Sequence, residues 1–356
     1  MPCGAAELNR RFGLLPWADV VAPARNLAAN GVPFSAAHAR LLPEITPAML
    51  VGAGADIYSR PDGVGGRRLL GADETIDHPG LADTFDALAR HGPDELSTGA
   101  VGLGLIDAVR ADAGALSLQD MTAYRVNELE PLRVPFGPGT LYVRGNDLDS
   151  FGATAAALDL DAVRRGGVDR AKTLVAALRA PSRRAETTSV VAVDAWGNAC
   201  AATHSLGLGS GIWVGGVHGN SMLGEGELLR GELVPGARMP SMMVPSIVTD
   251  SDGALLFAGG AAGGSRIRPA LLQVMAGVLA EGRGTTEAVA APRMSVTDEL
   301  IHLEPDFPQE VIAALREAGE ELVLWTEPRP YFGGVAAISA DGPAADPRRG
   351  GSAMVP

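Results

Sequence analysis

Two threonines, Thr187 and Thr188, stand where a polar run from Pro181 to Glu186 gives way to the β-branched stretch Ser189–Val193. A threonine hydroxyl is a weak nucleophile at neutral pH and needs an adjacent base. A free α-amino group on the same residue can serve, because its pKa of about 8 leaves a neutral fraction near pH 7. That arrangement requires a chain break between Glu186 and Thr187, with Thr187 opening a rigid strand. Taken alone, the pair reads first as an ordinary strand start, since threonine favours strands. A second feature is Gly263-Gly264, placed just before a helix. Consecutive glycines there can turn backbone N–H groups towards one point, making an anion nest or an oxyanion hole. By itself such a pair is more often only a turn. Gly207-Leu208-Gly209-Ser210-Gly211 lacks the Lys and Ser/Thr of a phosphate loop, so it reads as a pocket wall or a plain connector. His204 and His218 are lone histidines and read as structural. Arg238 and Arg266 could orient a carboxylate, with a surface or ion-paired role as the equal alternative.

The elements that must position these residues follow from periodicity. Glu7 to Asn30 reads as helical, interrupted at Pro16 and Pro23. Positions 52–75 are rich in Gly, Arg and Asp and read as loop. A helix start at Asp77-His78-Pro79 with a stop at Gly92, a helix over Val101–Ala111 and a cap at Ser117–Asp120 come next. Strands are expected near Arg125–Val134 and Thr140–Arg144, and helices over Ala153–Leu158 and Val168–Arg179. Then the period changes. Ser189–Val193 and Ala199–Leu206 read as a hairpin around Asp194–Asn198, because Gly197 at the tip permits positive φ. Ser246–Thr249 and Ala254–Ala258 form a second hairpin. Positions 259–265 read as a glycine-rich lead into a helix over Arg268–Glu281. A last helix, Gln309–Ala318, precedes strands near Glu321–Trp325 and Gly333–Ile338. Helices, hairpins, then helices predict an α+β protein with an antiparallel core sheet rather than alternating βαβ units.

Composition narrows the classes. The chain has 356 residues, 46% hydrophobic and 20% charged, enough to bury a sizeable core. A net charge of −13 without a basic cluster argues against nucleic-acid binding. No apolar run is long enough for a membrane span, and the first residues lack a leader pattern, so a cytoplasmic location is expected. Two cysteines, Cys3 and Cys200, do not make a disulfide framework. The histidines are scattered, and neither metal nor cofactor is expected.

Together these segments resemble the γ-glutamyltranspeptidase family of N-terminal-nucleophile hydrolases, across essentially the whole chain. The resemblance rests on ordered blocks: Arg10–Trp17 with Pro23-Ala24, Leu118–Tyr124, Asp149-Ser150-Phe151-Gly152, Thr187–Asp194 with Gly197-Asn198, Pro245–Val248, Gly263–Ile267, Ala291-Pro292-Arg293 and Ala345–Arg349. It implies a four-layer αββα sandwich, acyl transfer through a threonine ester, and self-cleavage at Glu186/Thr187. The products would be a large-subunit-like segment (1–186) and a small-subunit-like segment (187–356) within one composite domain, staying associated or joining a higher heterotetramer. Carried over by position, Thr187 is the nucleophile with its own amine as base. Ser205 is the hydroxyl that supports it, and Gly263 and Gly264 form the oxyanion hole. Thr203, Asn220, Ser221, Ser241 and Arg238 fall on the substrate side, and the partner is a small amide or peptide-like molecule.

The departures narrow the substrate. Gly224 stands where the family has an Asp for the glutamyl α-amino group, Gly207 where it has an Asn, and Met242 where it has the second serine of a pair. The stretch 223–238 is shorter than the family's lid, and the chain starts after the arginine that grips the glutamyl carboxylate. A buried α-ammonium without its carboxylate costs about 1–3 kcal/mol or more. The expected substrate is therefore an amide or related acyl compound other than a standard γ-glutamyl peptide. A true γ-glutamyl hydrolase or transpeptidase and an unprocessed, non-catalytic homologue are the alternatives.

Overall fold

A computed structural model describes residues 1–148, 150–179, 187–224, 228, 232 and 234–355. The chain forms two compact units, residues 1–128 with 206–222, and residues 129–205 with 223–356.

The second unit holds a six-stranded antiparallel sheet. Its strands are β1 (Leu132–Phe136), β2 (Gly139–Val143), β5 (Ser246–Thr249), β6 (Leu255–Ala262), β7 (Gly334–Ser339) and β8 (Gly342–Ala345), in the order β8-β7-β6-β5-β2-β1. A separate hairpin, β3 (Thr188–Val193) with β4 (Ala199–His204), packs on this sheet. The layering can be read from two adjacent glycines in β6, since successive strand residues point to opposite faces. A Cβ on Gly259 would come within 3.2 Å of Leu271 in the helix α1 (Ile267–Leu279). A Cβ on Gly260 would fall 2.0 Å from the Ser189 hydroxyl and 3.0 Å from that of Thr203. Helix, sheet and hairpin are thus stacked in that order, with glycine removing the side chain where β6 meets its neighbours most closely. The α+β class expected from sequence holds.

Both hairpins turn on the same device. Asp194 Oδ1 accepts from the Trp196 and Asn198 amides (2.9 and 2.8 Å), and Gly197 supplies φ +85°. Asp250 Oδ1 likewise accepts from Asp252 and Ala254 (2.9 and 2.8 Å), with Gly253 at +86°. An Asx turn followed by glycine closes each loop locally. The helix α1 is buried along almost its whole length, so its apolar run reads all round rather than on one face. Four buried charges brace the end of the sheet. Arg293 pairs with Asp346 (2.6 Å), and Arg348 pairs with Glu304 (2.6 Å) and Asp346 (3.2 Å).

The first unit is mostly helical, with helices Pro2–Phe12, Trp17–Asn30, Ala36–Met49, Leu81–His91 and Ala100–Ala111. Phe34, Leu42, Ile57, Leu70 and Ile76 form its small core. The cap at Ser117 is a capping box with Asp120, and Gly92 ends its helix at φ +75°.

Several expectations are corrected. Pro16 caps a helix, but Pro23 lies inside Trp17–Asn30 on the exposed side, where the carbonyl it leaves unpaired can meet water. Positions 52–75 contain the helix Gly54–Tyr58 and a small hairpin, Ser59–Pro61 with Arg67–Leu69. There Arg67 Nε donates to Ser59 Oγ (2.7 Å), and the glycines only make the turn. The connector 207–219 contains a short pair, Trp213–Val214 with Val217–His218. The strand expected from Arg125 begins at Leu132, and a helix at Leu160–Arg165 was not anticipated. Gly259 and Gly260, read as part of the lead into the helix, are central strand residues, because packing from both faces outweighs glycine's poor strand propensity.

Candidate active site

Thr187 directly precedes β3, and the side-chain period of two places it on the inward face with Ser189 and Val191. Its hydroxyl is buried and has no hydrogen-bond partner among the described residues. Such an orphan buried hydroxyl is uncommon in folded proteins. The hairpin register pairs Thr188 with His204 and Ser189 with Thr203. One further step along that register sets Ser205 opposite Thr187. Beside them, Ser189 Oγ and Thr203 Oγ1 share a hydrogen bond of 3.0 Å. Glu186, on the other side of the expected scissile bond, lies outside the described residues, as does Asp149 of the Asp149–Gly152 block.

Gly263 and Gly264 leave β6 in conformations that L residues rarely adopt, φ +126° and +59°, and lead through one tight turn into α1. A side chain on Gly263 would also collide, its Cβ falling 3.0 Å from the Gly333 Cα. The β6 strand therefore carries both the close contact with the hairpin, at Gly260, and the glycine turn three residues later. Thr187 lies two residues from Ser189, the hairpin's side of that contact.

The substrate-side candidates are dispersed. Ser241 Oγ accepts from the Met243 amide (3.1 Å), while its carbonyl accepts from the Leu148 amide (2.9 Å). Arg238 is exposed in the same unit, and Met242 is buried. Asn220 and Ser221 belong to the other unit. Asn220 Oδ1 accepts from the Met222 amide (3.1 Å), and Ser221 Oγ accepts from the Leu208 amide (3.1 Å). Gly224 is exposed, and among the described residues nothing lies within 4 Å of where its Cβ would stand. Gly207 takes φ +67°, a left-handed conformation that glycine favours.

His218 and Arg266 have structural partners. His218 stacks on Trp213 (4.0 Å between centroids), and its Nε2 accepts from the Gly211 amide (3.0 Å). Burial, with His78 nearby, lowers its pKa, and burial lowers that of His204 as well. Arg266 lies over the Tyr331 ring at 4.1 Å and bonds its hydroxyl. Cys200 and His204, four residues apart on β4, are the one His/Cys pair at short spacing. Among the described residues no group of three or more His, Cys, Asp or Glu side chains gathers to hold a metal. No described helix is long and apolar enough to cross a membrane. Sequence reasoning did not single out Ser189 and Gly260. Nothing in the sequence marks them out: Ser189 opens a β-branched run and Gly260 is one of several glycines in 259–264.

The gamma-glutamyltranspeptidase family model matches residues 1–162 and 164–355. The chain belongs to the gamma-glutamyltranspeptidase family. Among curated members, the acylase ACY 1 proenzyme of Pseudomonas sp. (strain SE83) is 27% identical over 400 aligned positions, covering 94% of this chain and 70% of that protein. The glutathione hydrolase 5 proenzyme of Mus musculus is 30% identical over 141 residues, which is 39% of this chain and 24% of that protein. The chain thus spans about a quarter of one of these relatives and 70% of the other. Among solved structures, a cephalosporin acylase from Bacillus halodurans superposes with a TM-score of 0.78, covering 99% of this chain and 77% of its own at 21% identity. At that identity the match speaks for the fold alone.

Proposed function

We propose that this family member is a self-cleaving threonine hydrolase or acyltransferase acting on an amide, or related acyl compound, other than a standard γ-glutamyl peptide. Cleavage of the Glu186–Thr187 bond frees the Thr187 amine to act as base. The Thr187 hydroxyl attacks the acyl carbonyl, and its proton passes to that amine. The Gly263 and Gly264 amides hold the resulting oxyanion, and Ser205 steadies the nucleophile from across the hairpin. The carbonyl re-forms as the leaving amine departs with the proton, and water or another amine then releases the acyl group. Thr203, Asn220, Ser221, Ser241 and Arg238 are assigned to the substrate side.

The observation that carries the substrate reading is Gly224, exposed and without a side chain, where the family resemblance calls for a carboxylate. The acylase relative supports it, because its similarity extends over 94% of the chain. The glutathione hydrolases favour the second reading, true γ-glutamyl transfer; that of Pseudomonas aeruginosa is 31% identical over 154 residues. Two anilides differing only in an α-ammonium group, glutaryl and γ-glutamyl, separate the readings. Preference for the glutaryl compound by about tenfold or more is expected, since leaving the ammonium unpaired costs about 1–3 kcal/mol. Preference for the γ-glutamyl compound sinks the substrate assignment. A protein that stays uncut by intact mass on prolonged incubation, and turns over neither anilide, is the non-catalytic homologue.

A further inference from the structure

The glycine turn at Gly263–Gly264 rests on a second glycine pair. Gly333 takes φ +75°, and a Cβ there would stand 3.0 Å from the Ala262 carbonyl oxygen. Gly334 pairs with Ala262 in the sheet. A Cβ on Gly334 would lie 2.9–3.1 Å from Cβ, Cγ and Cδ of Arg349, so the arginine stem runs directly across that residue. Its guanidinium then reaches the turn, with Nη2 3.3 Å from where a Gly263 Cβ would be. Nε and Nη2 also donate to the Pro330 carbonyl (3.2 and 3.0 Å). The segment carrying Arg349 is itself pinned, because Asp346 accepts from the Val335 and Arg348 amides and pairs with Arg293. A planar fork held at two donors fixes both a position and a charge, which a lysine ammonium on a flexible stem does not.

We propose that Arg349 is a positioning residue for the glycine turn. Anchored on the Pro330 carbonyl, its guanidinium holds Gly263 and Gly264 in their left-handed conformations and places a fixed positive charge beside any oxyanion they bind. The catalytic consequence rests on the hydrolase reading above, whereas the positioning does not.

Hydrogen–deuterium exchange and acylation test the two parts separately. Arg349→Gln keeps the stem and loses the charged fork. Amides of residues 262–266 are expected to exchange about tenfold faster in it, while those at the centre of α1 stay unchanged, because a local opening leaves the core intact. Acylation of Thr187 by p-nitrophenyl acetate, located by mass spectrometry, should slow about 10- to 100-fold in kcat with little change in KM, because a displaced oxyanion donor acts on the transition state. Arg349→Lys should fall between, and added guanidinium should restore part of the rate to Arg349→Ala. Should the glutamine variant not fold, the lysine variant is read alone. Turn exchange equal to wild type overturns the proposal whatever the rate does. If the wild-type protein neither cleaves itself nor acylates, but turn exchange still depends on Arg349, the hydrolase reading fails and the positioning stands.

Discussion

The residues first singled out for chemistry sit in two kinds of surroundings. Thr187, Thr203, Ser205, Gly263 and Gly264 lie on or directly beside strands whose register and packing are fixed by glycine, an Asx turn and a buried sheet. The described residues of 206–243, which carry the substrate-side candidates other than Thr203, lie instead in turns, short two-residue strands and irregular segments, and most of those between Leu223 and Arg238 are exposed. A group that must meet a carbonyl within a fraction of an ångström belongs on a rigid element, whereas specificity can be revised on loops without loss of the fold. The proposed roles follow the same contrast: residues assigned to the chemistry stand on or beside the strands, and Gly224, Gly207 and Met242, where the sequence departs from the family pattern, stand outside them.

The comparison can be broken most sharply at Thr187. Thr187→Ala should abolish self-cleavage and acylation, a loss of at least about a thousandfold, with Tm nearly unchanged, as expected for removal of a nucleophile. Residual activity within tenfold would move the chemistry elsewhere. Rigidity is tested next by Asp346→Ala, which leaves Arg293 buried without its carboxylate and should destabilise the protein by about 3–5 kcal/mol in urea unfolding. Gly260→Val drives a side chain into Ser189 and Thr203; about 1–3 kcal/mol should be lost, together with acylation, because β3 must shift. The loop side should respond differently. Ser241→Ala is expected to raise KM by roughly three- to tenfold and leave kcat alone, the mark of binding shared by ground and transition states. Equal loss in kcat would erase the distinction between the two regions.

The smallest effect expected is one of pH. Burial holds the pKa of His218 below the ordinary imidazole value of about 6.5, so the folded state keeps it neutral while the unfolded chain gains a proton. Stability is therefore steady above that value and declines as pH falls through it towards the folded pKa. His204 and His302 carry shifts of the same sign. His218→Gln, which retains an acceptor for the Gly211 amide, should flatten the decline in Tm between pH 7 and pH 5.

Much of this was legible in the residues. Asp194 with Gly197 and Asp250 with Gly253 announce their hairpins because an Asx turn closes within five residues. Ser117 with Asp120 announces a cap for the same reason. Gly259-Gly260 did not announce a strand, because local propensity opposes it and only Leu271 on one face and Ser189 on the other explain it. Positions 52–75 misled because Gly and Asp make a turn there, while the strand partners on either side are held by Arg67 reaching back to Ser59. Arg349 stands in the Ala345–Arg349 block, but nothing in the sequence ties it to Gly263, since that contact joins residues 86 positions apart.

By itself the sequence determined the α+β class, the family and the position of the threonine before its strand. Each of these depends on residue type and short-range order, which a linear chain displays. The tertiary structure alone decided that Gly260 seats the hairpin on the sheet, that the register sets Ser205 across from Thr187, and that Arg349 closes over the glycine turn. Those are contacts between segments apart in the chain, and they exist only once folding has brought the segments together and expelled the water between them.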